Sequence, residues 1–257
     1  MSDSETPMPA RRSGAVVSDL HLFARRSRGD RLFAEFEAEA GDIDSLVLNG
    51  DTFDFRWSQL PSESATVDAA LEWLTSLLER QPRWDVHFVL GNHDCVISFH
   101  EGLERLAGDH PRLHCHEHRL RLGELLFLHG DCANQKMDAR KLARFRKSWS
   151  RDHQRGPTAA RLYDVADALG LSHRFHDLYF RQAITTARVA HHLDQVTPGW
   201  TEEIRHCYFG HTHRPFRDLV HRGVLFSNTG SAIRNMGFQP LRFEWSLSSP
   251  RQSALRP

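Results

Sequence analysis

Five times along this chain a short apolar run stops abruptly at Asp, Asn or His: GAVVSDLH (14–21), DSLVLNGDTFD (44–54), VHFVLGNHD (86–94), ELLFLHGD (124–131) and HCYFGHTH (206–213). The runs are rich in β-branched and aromatic residues and bounded by Gly or polar residues, the pattern of strands buried on both faces. The polar residues then fall at strand exits. Helical patterns lie between the runs: DRLFAEFEAEA (30–40) carries Leu32, Phe33 and Phe36 on one side, and TVDAALEWLTSLLER (66–80) spaces Leu71, Leu74, Leu77 and Leu78 along one face. This alternation predicts an α/β fold with a largely parallel sheet, its strand exits gathered at the edge where such folds form ligand sites. LHCH, GVLFSNTG and LRFEWSL read as further strands without intervening helices, expected to form a second sheet packed on the first.

With 257 residues the chain suits one large domain. The Ser-, Pro- and Arg-rich residues 1–13 and the similar residues 248–257 read as frayed tails around a domain spanning 14–247. Residues 134–196 break the strand–helix pattern with a long helical stretch holding twelve Lys and Arg against six Asp, in a chain whose formal net charge is zero. This reads as an inserted basic helical cap. It sets Leu142, Phe145 and Trp149 on one helix face and Arg140, Arg144, Lys147 and Arg151 on another. Global charge names no partner. No apolar run approaches the roughly 20 residues that span a bilayer, and the N-terminus lacks a signal segment, so a cytoplasmic location is expected. The four cysteines form no C-x-x-C pair, which argues against a zinc ribbon or disulfide framework.

Eighteen histidines exceed what packing requires and point to metal or acid–base chemistry. The strand exits offer Asp19 and His21, Asp51 and Asp54, Asn92, His93 and Asp94, His129 and Asp131, and His211 and His213. In extended backbone, residues i and i+2 project to one side, so Asp19 with His21, and His211 with His213, can each converge on one point. Imidazole and carboxylate without thiolate suit Mn, Fe, Zn or Ni better than Ca or Mg, and the set is too large for one ion. Two ions sharing a carboxylate is the economical arrangement. Gly50, Gly91 and Gly210 precede candidate ligands and permit close backbone approach. Two metals roughly 3.5–4 Å apart can clamp a phosphoryl group and acidify a bridging water, so phosphoester hydrolysis is the matching reaction.

In order, D-x-H (19–21), G-D-x-x-D (50–54), G-N-H-D (91–94), H-G-D (129–131) and G-H-T-H (210–213) resemble the five signature blocks of the calcineurin-like metallophosphoesterases. The resemblance implies a four-layer α/β/β/α sandwich with a dinuclear centre between the sheet edges. It implies that Asp19, His21, Asp51 and His213 hold one metal and Asp51, Asn92, His129 and His211 the other, Asp51 bridging. His93 would face the scissile group and either stabilise developing charge or protonate the leaving oxygen while a metal-bridging hydroxide attacks phosphorus, with Asp94 holding the His93 ring. Asp54 and Asp131 would orient ligand histidines.

GDTFDFRW (50–57), the basic helical segment after H-G-D, and GHTHRP are similar to the UDP-diacylglucosamine pyrophosphatases, which carry a helical cap. That similarity implies a lipid-linked nucleotide substrate; Arg140, Arg144, Lys147 and Arg151 read equally as a solvated helix face or as a stripe that receives the diphosphate or the inner face of a membrane. Members of that family place Arg where this chain has His93; protein Ser/Thr phosphatases differ at Phe55 and Asp94. Two other readings stand beside it: a general phosphodiesterase acting on nucleotides or nucleic acid, the latter ranked lower as a partner, and a non-catalytic metal-binding scaffold. Among candidate metals Mn ranks first, ahead of Fe, Zn and Ni. His114, His116 and His118 read as an exposed strand edge outside the blocks, and His191 and His192 as a helix surface.

Overall fold

The computed structural model describes residues 11–151, 154–155 and 179–246. The chain runs β1 (Arg11–Val17), α1 (Gly29–Glu39), β2 (Ser45–Asn49), α2 (Glu63–Arg80), β3 (Asp85–Val89), α3 (Ile97–Asp109), β4 (Leu113–His116), β5 (Arg119–Leu122), β6 (Leu125–Leu128), a short 3₁₀ turn (Asp131–Ala133) and α4 (Ala139–Trp149). It continues through α5 (Gln182–Val196), α6 (Trp200–Glu203), β7 (His206–Phe209), β8 (Phe216–His221), β9 (Val224–Asn228) and β10 (Leu241–Ser246).

Two five-stranded sheets form, ordered β10-β1-β2-β3-β4 and β5-β6-β7-β9-β8. β1 to β4 run parallel with β10 antiparallel at the edge, and β6, β7 and β9 run parallel between antiparallel β5 and β8. Alternate residues of each central strand enter different cores, which is why these runs are largely apolar. Ala15, Val17, Leu46, Leu48, Val86 and Phe88 pack toward the helix side with Phe33, Phe36, Leu74, Leu77 and Phe99 of α1 to α3. Val16, Val47 and Val89 pack with Leu120, Phe127, Tyr208, Phe243 and Trp245 between the sheets. Beyond the second sheet, Leu142 of α4, Val189 and Leu193 of α5, and Trp200 of α6 pack on Leu126, Cys207 and Phe226. The layers are therefore helix, sheet, sheet, helix, the four-layer sandwich expected. Each fully buried Leu, Val or Phe contributes about 1.5–3 kcal/mol over its exposed state.

Local signals fix the helix starts. The Ser62 hydroxyl caps α2 by accepting from the Ala65 N–H at 3.1 Å, and the Asp138 carboxylate caps α4 by accepting from the Lys141 N–H at 2.7 Å.

Three expectations need correction. LHCH and LRFEWSL do not join the second sheet; as β4 and β10 they border the first, because Leu241, Phe243 and Trp245 alternate inward to fill the layer between the sheets. β1 begins at Arg11, inside the expected tail, since Arg11 to Ser13 pair with β10; the rest of the two expected tails lies outside the described residues. His192 is buried rather than on a helix surface, its Nδ1 donating to the Met137 carbonyl at 3.1 Å. The expected insertion, 134–196, spans α4 and α5 between β6 and β7; its residues 152–153 and 156–178 lie outside the described residues.

Candidate metal centre and active site

The five strand exits meet across the top of both sheets. Asp19 and His21 follow β1, Asp51 follows β2 and Asn92 follows β3 on the first sheet, while His129 follows β6 and His211 and His213 follow β7 on the second. The chain turns sharply at nearly all of them: Asp19, His21, Asp51, His211 and His213 have φ of 53°, 48°, 51°, 66° and 55°. Non-glycine residues in this left-handed region each cost on the order of 1 kcal/mol, a strain held in place by the surrounding strands. Two glycines permit the approach. A Cβ on Gly91 would strike the Asp51 carboxylate, and one on Gly210 the Asp19 carboxylate.

Two donor clusters result. Asp19, His21 and His213 form one, with His21 Nε2 and His213 Nε2 3.2 Å apart and Asp19 Oδ1 3.3 Å from His213 Nε2. Asp51, His129 and His211 form the other, with His129 Nε2 3.2 Å from His211 Nδ1, 3.2 Å from Asn92 Oδ1 and 3.3 Å from Asp51 Oδ2. Asp51 Oδ2 also lies 3.8 Å from His21 Nε2, so this carboxylate stands between the clusters. Donors spread around one divalent cation at ligand distances of about 2.0–2.1 Å are roughly 3.3 Å from one another. The two sets therefore fit a pair of divalent cations, and the carboxylate and imidazole mixture matches Mn, Fe, Zn or Ni.

The donors are oriented from behind. Asp19 accepts the His211 N–H, and Asp51 Oδ1 accepts the His93 N–H at 2.8 Å. His129 Nδ1 faces the Asn49 carbonyl at 3.3 Å, and His211 Nε2 donates to Asn134 Oδ1 at 3.0 Å, which leaves His129 Nε2 and His211 Nδ1 for the centre. Burial opposes charging of His129, but Asp51, then Asp19 and Asp131, outweigh it and raise its pKa to about 10. Burial and then the neighbouring His129 push His211 down to about 3.

A third group, His21, Asp54 and His93, has another role. Asp54 Oδ2 lies 3.1 Å from His21 Nδ1, and Oδ1 2.9 Å from His93 Nδ1 and 2.9 Å from the Trp57 N–H it accepts. One buried carboxylate thus orients a donor of the first cluster and the candidate proton carrier together. Burial works against charge on His93, yet Asp54 and then Asp51 raise its pKa and favour the imidazolium. With Nδ1 committed to Asp54, Nε2 is the nitrogen able to serve a substrate.

Two sequence expectations about carboxylates are corrected here. Asp94 does not hold the His93 ring; it accepts the N–H groups of Gly91 at 2.6 Å and Thr52 at 2.8 Å and so ties the second and third blocks together. Its pKa is pushed up to about 7, first by burial and then by Asp51. Asp131 orients no histidine; it is gripped by Arg146 of α4, with Nε to Oδ2 at 2.7 Å and Nη2 to Oδ1 at 3.2 Å. Both side chains are buried and Arg146 Nη1 also donates to the Glu117 carbonyl, so the pair fastens the cap helix to the core.

The cleft above the donors, about 380 Å³, is lined by Asn92, His93, Arg26, Arg56, Trp57, Phe145, Trp149 and Phe180 among others. Trp149 lies 4.7 Å from the His93 ring, and the Arg56 guanidinium sits 4.4 Å from the Trp149 ring centroid. The cap is stitched to the loop after β2: Gln154 Nε2 donates to the Ser58 carbonyl and the Arg155 N–H to the Arg56 carbonyl, both at 2.8 Å. Arg140, Arg144, Lys147 and Arg151 are exposed, and none of them lines this cleft. Its cationic lining is Arg26 and Arg56 instead. Arg56 lies within GDTFDFRW (50–57) whereas Arg26 lies outside every motif, and Asn134, Arg146 and Phe180 carried no individual signal in the sequence.

A two-sheet sandwich with clustered histidines and carboxylates at strand exits of both sheets defines a metal-dependent phosphoesterase. The model of the calcineurin-like phosphoesterase family matches residues 15–215, and the chain belongs to that family, whose members depend on dinuclear metal centres. No curated protein sequence matches the chain. Among solved structures it is similar to a phosphopantetheinyl hydrolase from Mycobacterium tuberculosis (15% identity, 88% of this chain and 92% of that one, TM-score 0.41). It is also similar to a dimetal phosphatase from Danio rerio (12%, 93% and 100%, 0.45) and to the phosphoesterase Yfce from E. coli (16%, 86% and 80%, 0.35). None of the helices described is long and apolar enough to cross a membrane.

Proposed function

We propose that the protein hydrolyses a phosphodiester or diphosphate whose leaving group is bulky and sits under the cap. Asp19, His21, Asp51 and His213 would hold one divalent cation, and Asp51, Asn92, His129 and His211 a second, with Mn the first candidate and Fe, Zn or Ni alternatives. Such a pair supplies charge neutralisation at the phosphoryl oxygens and an acidified water as nucleophile. His93 passes its Nε2 proton to the leaving oxygen, and Asp54 keeps the ring in that tautomer and orientation through Nδ1. Arg26 and Arg56 face phosphate oxygens, while Trp57, Phe145, Trp149 and Phe180 shelter the leaving group from water.

The observation that carries this reading is the shared carboxylate: Asp51 lies within 3.8 Å of His21 and 3.3 Å of His129 and accepts the backbone N–H of His93, joining both clusters to the proton carrier. A finer reading is a UDP-diacylglucosamine-like lipid-linked nucleotide, cleaved at its diphosphate. It is supported by the aromatic cleft and by the exposed basic residues Arg140, Arg144 and Lys147 of α4 and Arg151 just beyond it, which suit the anionic inner surface of a membrane and a cytoplasmic setting.

The test is turnover of bis(4-nitrophenyl) phosphate, UDP-diacylglucosamine and cyclic nucleotides by protein loaded with Mn²⁺, with elemental analysis alongside. Activity lost in Asp51→Ala together with metal is expected. Cleavage of cyclic nucleotides or DNA ends but not the lipid nucleotide would replace the finer reading with a general phosphodiesterase. Two bound metals without turnover of any substrate would leave a metal-binding scaffold.

A further inference from the structure

We propose that His87, His114 and His116 form a third cation site, outside the catalytic cleft, for a late first-row divalent ion such as Zn²⁺, Ni²⁺ or Cu²⁺. The register of β3 and β4 pairs His87 with His114 and Val89 with His116, so the three histidines share one face of the first sheet. Val89 on that face packs between the sheets, whereas Cys115 points to the helix side and offers no thiolate to the cluster. His87 Nδ1 and His116 Nε2 are 3.2 Å apart, close to the separation of two nitrogens on one cation. The His114 ring is stacked on His87, with centroids 4.8 Å apart and planes 24° from parallel, so it lies beside the pair and would have to turn about its side-chain bonds to become the third ligand.

The cluster is half-buried, so solvent ions reach it while the rings are partly desolvated. Burial, then His114, lowers His87 to about 3 and His116 to about 4, and the Arg12 charge acts on His87 in the same direction. Both rings are therefore neutral at pH 7 and present lone pairs. Asp85, the acidic residue of β3, is taken up by Arg12 at 2.9 Å. A site of nitrogen donors alone favours Zn²⁺, Ni²⁺ and Cu²⁺ over Mg²⁺, Ca²⁺ or Mn²⁺. It would also bolt the edge strand β4, whose sheet partner is β3 alone, to its neighbour.

The experiment is equilibrium dialysis of the full chain against Zn²⁺ with elemental analysis, comparing the wild type with His87→Ala/His116→Ala, His116→Gln and His114→Ala. The double variant should lose one zinc equivalent per chain, His116→Gln should weaken that site about tenfold or more, and His114→Ala should do likewise. Cu²⁺ bound at the site should show nitrogen hyperfine coupling in its electron paramagnetic resonance spectrum, absent from the double variant. Hydrolysis of bis(4-nitrophenyl) phosphate should match the wild type in all three. His116→Gln keeps the size and hydrogen bonding of the position, so it gives the answer even if the double variant folds poorly. Equal zinc uptake and affinity in all four proteins overturns the proposal, whether or not the enzyme turns over any phosphoester.

Discussion

Replacing Arg146 with Met should be among the most damaging single changes available outside the metal centre. The guanidinium makes two hydrogen bonds to Asp131 and one to the Glu117 carbonyl, and its side chain and that of Asp131 are only 9% and 2% exposed. Gross attraction at about 3 Å is near 5 kcal/mol at an effective dielectric of about 20, and much of it offsets desolvation. Removal of one partner, however, strands a buried carboxylate and costs about 3–5 kcal/mol. Asp131→Asn should cost a similar amount, while Arg146→Met with Asp131→Asn should fall short of the sum by about 2 kcal/mol or more. Urea unfolding followed by tryptophan fluorescence, at fixed free metal, measures all four corners of the cycle.

The pH dependence adds a second readout. Burial pushes Asp131 up, but Arg146 outweighs it and holds the carboxyl below its ordinary range. In the wild type the pair's contribution is fully present above the unfolded carboxylate value of about 4 and is lost as pH falls through the lower folded value. In Arg146→Met burial acts without its counterweight and raises the carboxyl, so the deficit relative to wild type should shrink as pH falls from 7 toward about 4. Additivity within about 0.5 kcal/mol, or a deficit independent of pH, would refute the assignment of Arg146 as the anchor of the cap.

Asp54→Asn should lower kcat by roughly 10²–10⁴ for a substrate with an alkyl leaving group and by much less for 4-nitrophenolate, which needs little protonation; equal losses on both would remove His93 from leaving-group protonation. Gly91→Ala should cost about 1–3 kcal/mol and reduce bound metal, because the new methyl displaces Asp51; a variant with wild-type melting and metal content would contradict that contact. Chelation should lower stability by about 2.7 kcal/mol for each ion that had been present at 100 times its Kd, read as a fall in Tm by calorimetry; an unchanged Tm would argue against cations at these donors. Trp149→Ala should raise KM for bulky diesters more than it lowers kcat, with metal content unchanged; loss of metal instead would make the indole a prop for the centre rather than a wall of the cleft.

Much of this molecule is legible in its sequence because the central strands are buried on both faces. Val16, Val47 and Val89 face the layer between the sheets while their neighbours Val17, Leu48 and Phe88 face the helices, which explains largely apolar runs that end in Asp, Asn or His. The edges are less legible. LHCH and LRFEWSL are strands, but their sheet is decided by which partner their alternate faces meet, and short segments do not record it. At the site, motif spacing brought together the seven donor candidates, yet it could not say which carboxylate serves which imidazole. Asp54 and Asp94 both stand near His93, and only the folded backbone turns the first toward the ring and the second toward Gly91 and Thr52. Asn134, Arg146 and Phe180 belong to the insertion, where no periodic constraint marks the residues that touch the core.

The donors are divided between the two sheets, four on the first and three on the second. Neither sheet alone carries a complete set, and the nearest donors of the two halves are separated by the whole segment from Asn92 to His129. Tight metal capture is therefore expected late in folding, since a full donor set needs the docking of one sheet on the other through the layer of Val16, Phe127, Tyr208 and Phe243. Ions held by donors from both sheets would act as rivets through that seam. The rate at which a metal-loaded sample releases its ions to a chelator should thus report how often the two halves of the sandwich part.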